Sequence, residues 1–349
     1  MIPLWMFPLA VACGNTYVLK PSERTPGAAL LLAQLAHEAG LPPGVLNIVH
    51  GTAKTVNALC DSPVVQAVSF VGGDAAGAHV AARAGAAGKR TQVNMGAKNH
   101  AVVMPDCHPR AAARAVAGAA FGAAGQRCMA LSAVVTVGEC APFREELRKA
   151  TRALRVGPGS YAGVDVGPVI SRAAQDRIGA ALRRATVEGA RLTVDGAAAV
   201  AHLKESGGFF VGPTLLEDVT QTMECHTSEL FGPVLGVLRA ESLDEAVGVV
   251  NACRYGNGAS IFTTSGAAAR RFQHTVQAGQ VGVNVPIPVA LPFFSFTGWK
   301  NSFSGSLHFY GQQGVHFFTR TKTVTASWKA QDAEAAGQAA TSFPTSKDA

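Results

Sequence analysis

Over its first hundred residues the chain alternates short apolar, β-branched runs with alanine-rich stretches, separated by glycine and proline; few architectures accept that order. Thr16-Tyr17-Val18-Leu19-Lys20 reads as a buried strand. Thr25-Pro26 then supplies an N-cap and a proline at the first helical position, for a helix running to about Ala39 and stopped by Gly40 and Leu41-Pro42-Pro43-Gly44. Asn47-Ile48-Val49 reads as a strand and Val56 to Cys60 as a helix. Ala67-Val68-Ser69-Phe70-Val71 is another strand, entering Gly72-Gly73 and a second alanine-rich helix through about Ala84. Thr91-Gln92-Val93 and Ala101-Val102-Val103-Met104 are short strands. This β-α-β-α rhythm predicts an α/β fold built on a doubly wound parallel sheet. Farther on, helices are expected near Pro142–Leu154, Arg172–Glu188, Leu243–Asn251 and Ala267–Ala278. Strands are expected near Ala133–Val137, Ser260–Thr264 and Gln280–Val285, and a polar edge or inter-subunit strand over Val315 to Ser327.

The 349 residues suffice for about two domains with full cores. With 48% hydrophobic and 15% charged residues the chain is globular. The formal net charge is +7, yet Lys89-Arg90 and Arg183-Arg184 are isolated pairs, which argues against a nucleic-acid footprint and fits anionic small molecules better. Seven scattered cysteines without a Cys-x-x-Cys pair predict neither a zinc site nor a disulfide framework, and suggest a reducing compartment. No 18-residue apolar run occurs, so no membrane span is expected. Met1 to Ala10 is apolar from the start but lacks the basic start and cleavage site of a signal peptide, and reads like the middle of a core element. Lys329 to Ala349 reads as a disordered tail.

The chemically informative string is Gly125-Gln126-Arg127-Cys128-Met129-Ala130, downstream of Asn94-Met95-Gly96-Ala97-Lys98-Asn99. Backbone N–H groups at such a turn, with the Arg127 guanidinium, would favour a thiolate. Cys128 is therefore either a nucleophile or a small core filler, and the local string does not separate the two. Lys20-Pro21-Ser22-Glu23 sits at the carboxyl end of a strand, where open α/β sheets bind ligands; Lys20 and Glu23 suit ribose hydroxyls, or form a solvated loop. Gly72 and Gly73 lie between a strand and a helix N-terminus, where backbone N–H groups can meet a phosphate, although the string is not G-x-G-x-x-G. Glu229-Leu230-Phe231-Gly232-Pro233-Val234 places an acid and an aromatic before a Gly-Pro turn, which by itself is equally an ordinary turn.

Together with Ile2-Pro3-Leu4-Trp5-Met6-Phe7-Pro8, Tyr255-Gly256-Asn257-Gly258 and Gly282-Val283-Asn284-Val285-Pro286-Ile287-Pro288, these strings resemble the aldehyde dehydrogenase superfamily. More narrowly they resemble its CoA-acylating, methylmalonate-semialdehyde branch, from Met1 to about Trp328. The resemblance implies an incomplete NAD-binding domain at residues 1–96 and an α/β catalytic domain at 97–300. A C-terminal return with an oligomerisation strand would follow at 301–328, and the tail at 329–349. It makes Cys128 the nucleophile that adds to an aldehyde carbonyl and ends as a thioester. NAD would be held by Lys20 and Glu23 at the adenosine ribose, Gly72 and Gly73 near the pyrophosphate, and Glu229 and Phe231 at the nicotinamide end. Hydrolytic relatives carry a glutamate where this chain has Asn94, and an amide cannot take a proton from water. A CoA thiol, with a pKa near ~8.5, needs no such help, so coenzyme A is implied as co-substrate. The implied substrate is malonate or methylmalonate semialdehyde, losing its carboxylate as carbon dioxide, with Arg127 as the carboxylate contact or else a structural carbonyl cap. The family also implies a homo-oligomer, dimer or tetramer, in the mitochondrial matrix if eukaryotic and the cytoplasm if bacterial.

There are departures from the branch. Its chains extend upstream of Met1, through the first dinucleotide-domain strands, a strand of the oligomerisation hairpin and an asparagine of the oxyanion hole. Gly73 stands where the branch usually has serine, and Trp299 to Ser306 differs from its usual run. Without that asparagine the hole keeps only the Cys128 N–H, a loss of ~10²–10³ in rate. An NAD- and CoA-dependent dehydrogenase and an inactive fragment or non-catalytic subunit therefore both stay open. A hydrolytic aldehyde dehydrogenase is a third reading, opposed by Asn94.

Overall fold

Parallel strands buried on both faces need continuous apolar runs, and the chain supplies them. The structure, a computed structural model, describes residues 1–203, 205–326 and 328, so the expected tail from Lys329 lies outside the described residues. In chain order the strands are β1 (Tyr17–Leu19), β2 (Leu46–Ile48), β3 (Ala67–Val71), β4 (Arg90–Asn94), β5 (Asn99–Val103), β6 (Leu131–Val137) and β7 (Arg191–Val194). They continue with β8 (Thr214–Glu217), β9 (Val234–Ala240), β10 (Tyr255–Gly256), β11 (Gly258–Phe262), β12 (Gln280–Val283), β13 (Trp299–Lys300) and β14 (Phe303–Gly305).

The main sheet has the order β12-β11-β5-β6-β9-β8-β7, parallel except for the β7–β8 pair. All of β5 and β11 is buried, and so is nearly all of β6 and β9. Helices Pro109–Phe121 and Leu243–Ala252 pack on β6, and the small side chains of Ala112, Ala113, Ala117 and Ala120 are buried in the first of them. Fully buried Phe121 and Phe143 anchor this core, each worth about 2–3 kcal/mol of transfer free energy.

The first hundred residues form smaller sheets. β1 and β2 pair in parallel, as do β3 and β4, and β14 adds antiparallel to β4. The two pieces share no strand pairing, so the expected doubly wound sheet is present as a two-stranded and a three-stranded part. Helices Gly27–Glu38, Ala53–Asp61 and Asp74–Ala86 fall where the rhythm places them. Pro26, rather than Thr25, occupies the first cap, and no side chain bonds to it.

The N-terminal segment belongs to the core only in part, since Met1 and Leu4 are exposed. Met6, Phe7 and Ala10 are buried, and Trp5 packs 4.6 Å from the Phe296 ring and 5.6 Å from Tyr310. Residues Met1–Phe318 form one compact unit. The strand expected over Val315 to Ser327 is not formed. Val315 to Phe318 close the helix Gly311–Phe318, residues 319–326 have no helix or strand, and Ser327 lies outside the described residues. The β-branched Val/Thr content suggested a strand, but burial of Phe317 and docking of Gly314 against Leu9 reward the helix. Among the described residues no helix is long and apolar enough to cross a membrane.

Candidate active site

The long helix Pro109–Phe121 ends at Gly122, and the chain then passes through three left-handed residues, Ala123, Ala124 and Gly125, with φ of 52°, 54° and 68°. Two alanines in that region are costly and persist only where packing over-determines them. Gly125 is required here: a Cβ would lie 2.2 Å from the Gly232 carbonyl oxygen, so the loops carrying Cys128 and Glu229 touch through it. Cys128 and Met129 are the central residues of a turn closed by the Ala130 N–H donating to the Arg127 carbonyl at 3.0 Å. The turn enters β6 through a register shift against β5 at Asn99/His100.

An open cleft of about 310 Å³ brings together Arg127, Cys128, Glu229 and Phe231, with Lys98 and Asn99 also in its wall. Cys128 is half-buried, and burial raises its thiol to about 11, with the Glu229 carboxylate adding to the rise. The N–H groups of Cys128 and Met129 pull the other way without winning. The thiolate preference expected from the turn is therefore reversed in the free chain, because desolvation outweighs two backbone donors. Arg127 does not contribute as expected either. It is exposed, its guanidinium lies over Gly122 where a Cβ would meet both terminal nitrogens at 2.8 Å, and it forms no ion pair among the described residues.

Glu229 accepts the Ala97 N–H at 3.1 Å, and burial raises its carboxyl to about 7, with Asp74 adding to the rise. A carboxyl titrating near neutrality beside a thiol sets an expectation with a definite sign. Above pH ~7 the Glu229 charge opposes thiolate formation; below it the charge is gone. Glu229→Gln should therefore speed alkylation of Cys128 at pH 8 by about threefold and leave the rate at pH 6 unchanged. A variant no faster than the parent at pH 8 would contradict the coupling.

Asn94 lies outside the cleft lining, at the end of β4. Its side chain is fully buried and neither amide atom has a partner. Its Oδ1 and that of Asn257 both face Gly298, lying 3.2 and 3.4 Å from where a Cβ would stand.

The remaining expected residues sit apart, at the carboxyl ends of β1 and β3. Lys20 donates to the carbonyls of Pro21 (2.7 Å) and Gly51 (2.8 Å) and pairs with Glu23 at 3.5 Å. Glu23 is half-exposed, and a backbone hydrogen bond lowers its carboxyl. The Gly72 N–H donates to the Asn94 carbonyl, and Gly73 caps helix Asp74–Ala86 with nothing within 4 Å of where its Cβ would stand. That open space before a 13-residue helix fits a phosphate group. Asp74 in the first turn leaves the space clear by accepting from the Gly96 N–H (2.7 Å) and from the Tyr255 hydroxyl.

Lys98 and Asn99 carried no assigned role. Lys98 Nζ donates to the carbonyls of Cys225 (2.7 Å) and Ser228 (2.9 Å), and burial lowers it to about 8. It thereby holds the segment that leads into Glu229. A lysine two residues past Gly96 was the only local signal; its partners are more than a hundred residues away.

The fold and cleft define an α/β protein with a half-buried thiol just past a strained loop, sharing a cleft with a partly buried carboxylate, and with a glycine-capped helix at the end of β3. The chain belongs to the aldehyde dehydrogenase family, whose model matches residues 1–324. It is 54% identical over 332 residues to the probable methylmalonate-semialdehyde/malonate-semialdehyde dehydrogenase [acylating], mitochondrial, of Dictyostelium discoideum, covering 95% of this chain and 63% of that protein. It is 52% identical over 333 residues to the Homo sapiens methylmalonate-semialdehyde/malonate-semialdehyde dehydrogenase [acylating], mitochondrial, covering 95% and 62%. Among solved structures, the methylmalonate-semialdehyde dehydrogenase of Oceanimonas doudoroffii matches with a TM-score of 0.92 at 46% identity, covering 96% of this chain and 69% of that one. A putative methylmalonate-semialdehyde dehydrogenase of Sinorhizobium meliloti, complexed with NAD, matches with a TM-score of 0.91 at 44% identity, covering 95% and 67%. The chain thus spans less than two thirds of the length of these curated relatives.

Proposed function

We propose that this chain carries the catalytic machinery and part of the NAD site of a CoA-acylating semialdehyde dehydrogenase. The carrying observation is a cleft that joins Cys128 to Arg127, Glu229 and Phe231. Outside its lining, at the end of β4, lies the buried amide of Asn94, at the position where hydrolytic relatives carry a glutamate. Residues 1–96 contribute the dinucleotide side and residues 97–300 the catalytic side, and β14 brings the 301–328 segment back onto β4.

Lys20 and Glu23 hold the adenosine ribose of NAD, Gly72 and Gly73 lie near its pyrophosphate, and Glu229 and Phe231 meet its nicotinamide end. NAD supplies the hydride acceptor. Cys128, as thiolate, forms a bond from Sγ to the aldehyde carbon, and oxidation leaves the acyl group as a thioester on that sulfur. The Arg127 guanidinium, in no ion pair among the described residues, takes the substrate carboxylate of malonate or methylmalonate semialdehyde. Asn94 accepts no proton from water, so the thioester persists until the CoA thiolate attacks its carbonyl and Cys128 leaves. The product is acetyl- or propionyl-CoA, with the carboxylate lost as carbon dioxide. The working unit is a homo-oligomer, in the mitochondrial matrix of a eukaryote or the cytoplasm of a bacterium.

The test is NADH formation by the 349-residue chain with malonate semialdehyde, with and without CoA. CoA-dependent turnover is the expected result. Turnover indifferent to CoA would replace this reading with hydrolysis, and no turnover from the folded chain would leave a non-catalytic fragment.

A further inference from the structure

Two side-chain amides converge on the main chain of the nucleophile. Asn99 Nδ2 donates to the Cys128 carbonyl at 2.8 Å, and Asn257 Nδ2 donates to the same oxygen at 3.1 Å. Both asparagines are almost fully buried, at 2% and 1% exposure, and they come from distant parts of the chain: Asn99 opens β5, and Asn257 lies between β10 and β11. Neither amide can be turned around. Asn99 Nδ2 also donates to the Ala130 carbonyl (2.9 Å) while its Oδ1 accepts the Gly258 N–H (3.0 Å). Reversing Asn257 would set its oxygen against the Cys128 carbonyl oxygen.

One carbonyl accepting two buried amide donors is more than a turn needs, since the Arg127–Ala130 bond already closes it. We propose that Asn99 and Asn257 are positioning residues for Cys128: they lock the Cys128–Met129 peptide plane and polarise it, so that its N–H is a stronger donor to the thiolate. Carbonyl oxygen and N–H belong to one conjugated unit, and donors at the oxygen draw density from the nitrogen. That N–H, on Met129, is one of the two backbone groups that act to lower the Cys128 thiol. Asn257 Nδ2 also reaches Met129 Sδ at 3.0 Å, and so fixes the side chain on the other half of the same unit. The inference rests on Cys128 being the nucleophile proposed above, but concerns its thiol rather than any substrate.

The test therefore uses alkylation, which requires neither aldehyde, NAD nor CoA. Iodoacetamide labelling of the folded 349-residue chain is followed by peptide mass spectrometry from pH 7 to 10, with half-exposed Cys13 as the internal reference. Asn257→Leu keeps the approximate volume and removes the donor. It should lower the Cys128-to-Cys13 labelling ratio by roughly three- to tenfold at pH 8 and move the Cys128 profile to higher pH. Asn257→Ser, less bulky and also unable to reproduce the amide bond, should act in the same direction and serves if the leucine variant does not fold. An unchanged ratio in a folded variant would overturn the proposal, even if the dehydrogenase assay succeeds. A lowered ratio with no dehydrogenase activity would support it while sinking the proposed reaction.

Discussion

Cys128→Ala should leave a folded chain with NADH formation reduced by at least about 10⁴-fold, because no other group in the cleft can form the thioester. Glu229 titrates near neutrality, but a carboxylate is a poor substitute for a thiolate as nucleophile. Among the cysteines, Cys60, Cys107, Cys140, Cys225 and Cys253 are buried and absent from the cleft lining, and Cys13 lies outside it too. The loss should be chemical and not structural. Half-buried Cys128 gives up one sulfur, a change of about 1 kcal/mol in stability, which urea unfolding would register. Mass spectrometry of the parent chain with aldehyde and NAD but no CoA should find an acyl group on the Cys128 peptide. Residual turnover above about a hundredth of the parent rate, or an acyl group on another residue, would remove Cys128 from its role.

The second large effect is expected at Asn94. With both amide atoms buried and unpartnered, this position offers no donor to stabilise a charge. A carboxyl introduced by Asn94→Glu would be pushed upward by desolvation, toward the range where it takes a proton from water at neutral pH. NADH formation without CoA should then rise by about 10²–10⁴-fold, while the CoA-dependent rate changes less. The same burial predicts a stability cost of about 1–3 kcal/mol, visible as a lower urea midpoint. A folded Asn94→Glu chain that still requires CoA for every turnover would show that the amide does not decide between water and thiol.

Much of the early architecture was legible from spacing and punctuation. The strand Ala67–Val71 and the helices following Pro26 and Gly73 lie within a residue or two of their expected bounds, because glycine, proline and capping residues act over a few bonds. The helix at Gly311–Phe318 was missed because its valine and aromatic residues favour strands locally, and only the site into which Phe317 packs reverses that preference. In the cleft, the residue types at Cys128, Glu229, Phe231 and Arg127 stood out in the sequence, and the structure brings those four together. The direction of the Cys128 shift did not follow from the string, since nearby N–H groups are visible there and desolvation is not.

Sequence alone determined the order of the first strands and helices, the thiol on a Gly-Gln-Arg turn and the amide at Asn94, all features carried by neighbouring residues. The tertiary structure decided which of them share a cleft, how burial sets the titration of Cys128 and Glu229, and that Asn257, 129 residues farther along the chain, donates to the Cys128 carbonyl. Desolvation and amide pairing depend on what the folded chain brings within about 3 Å, and no local pattern of residues encodes that distance.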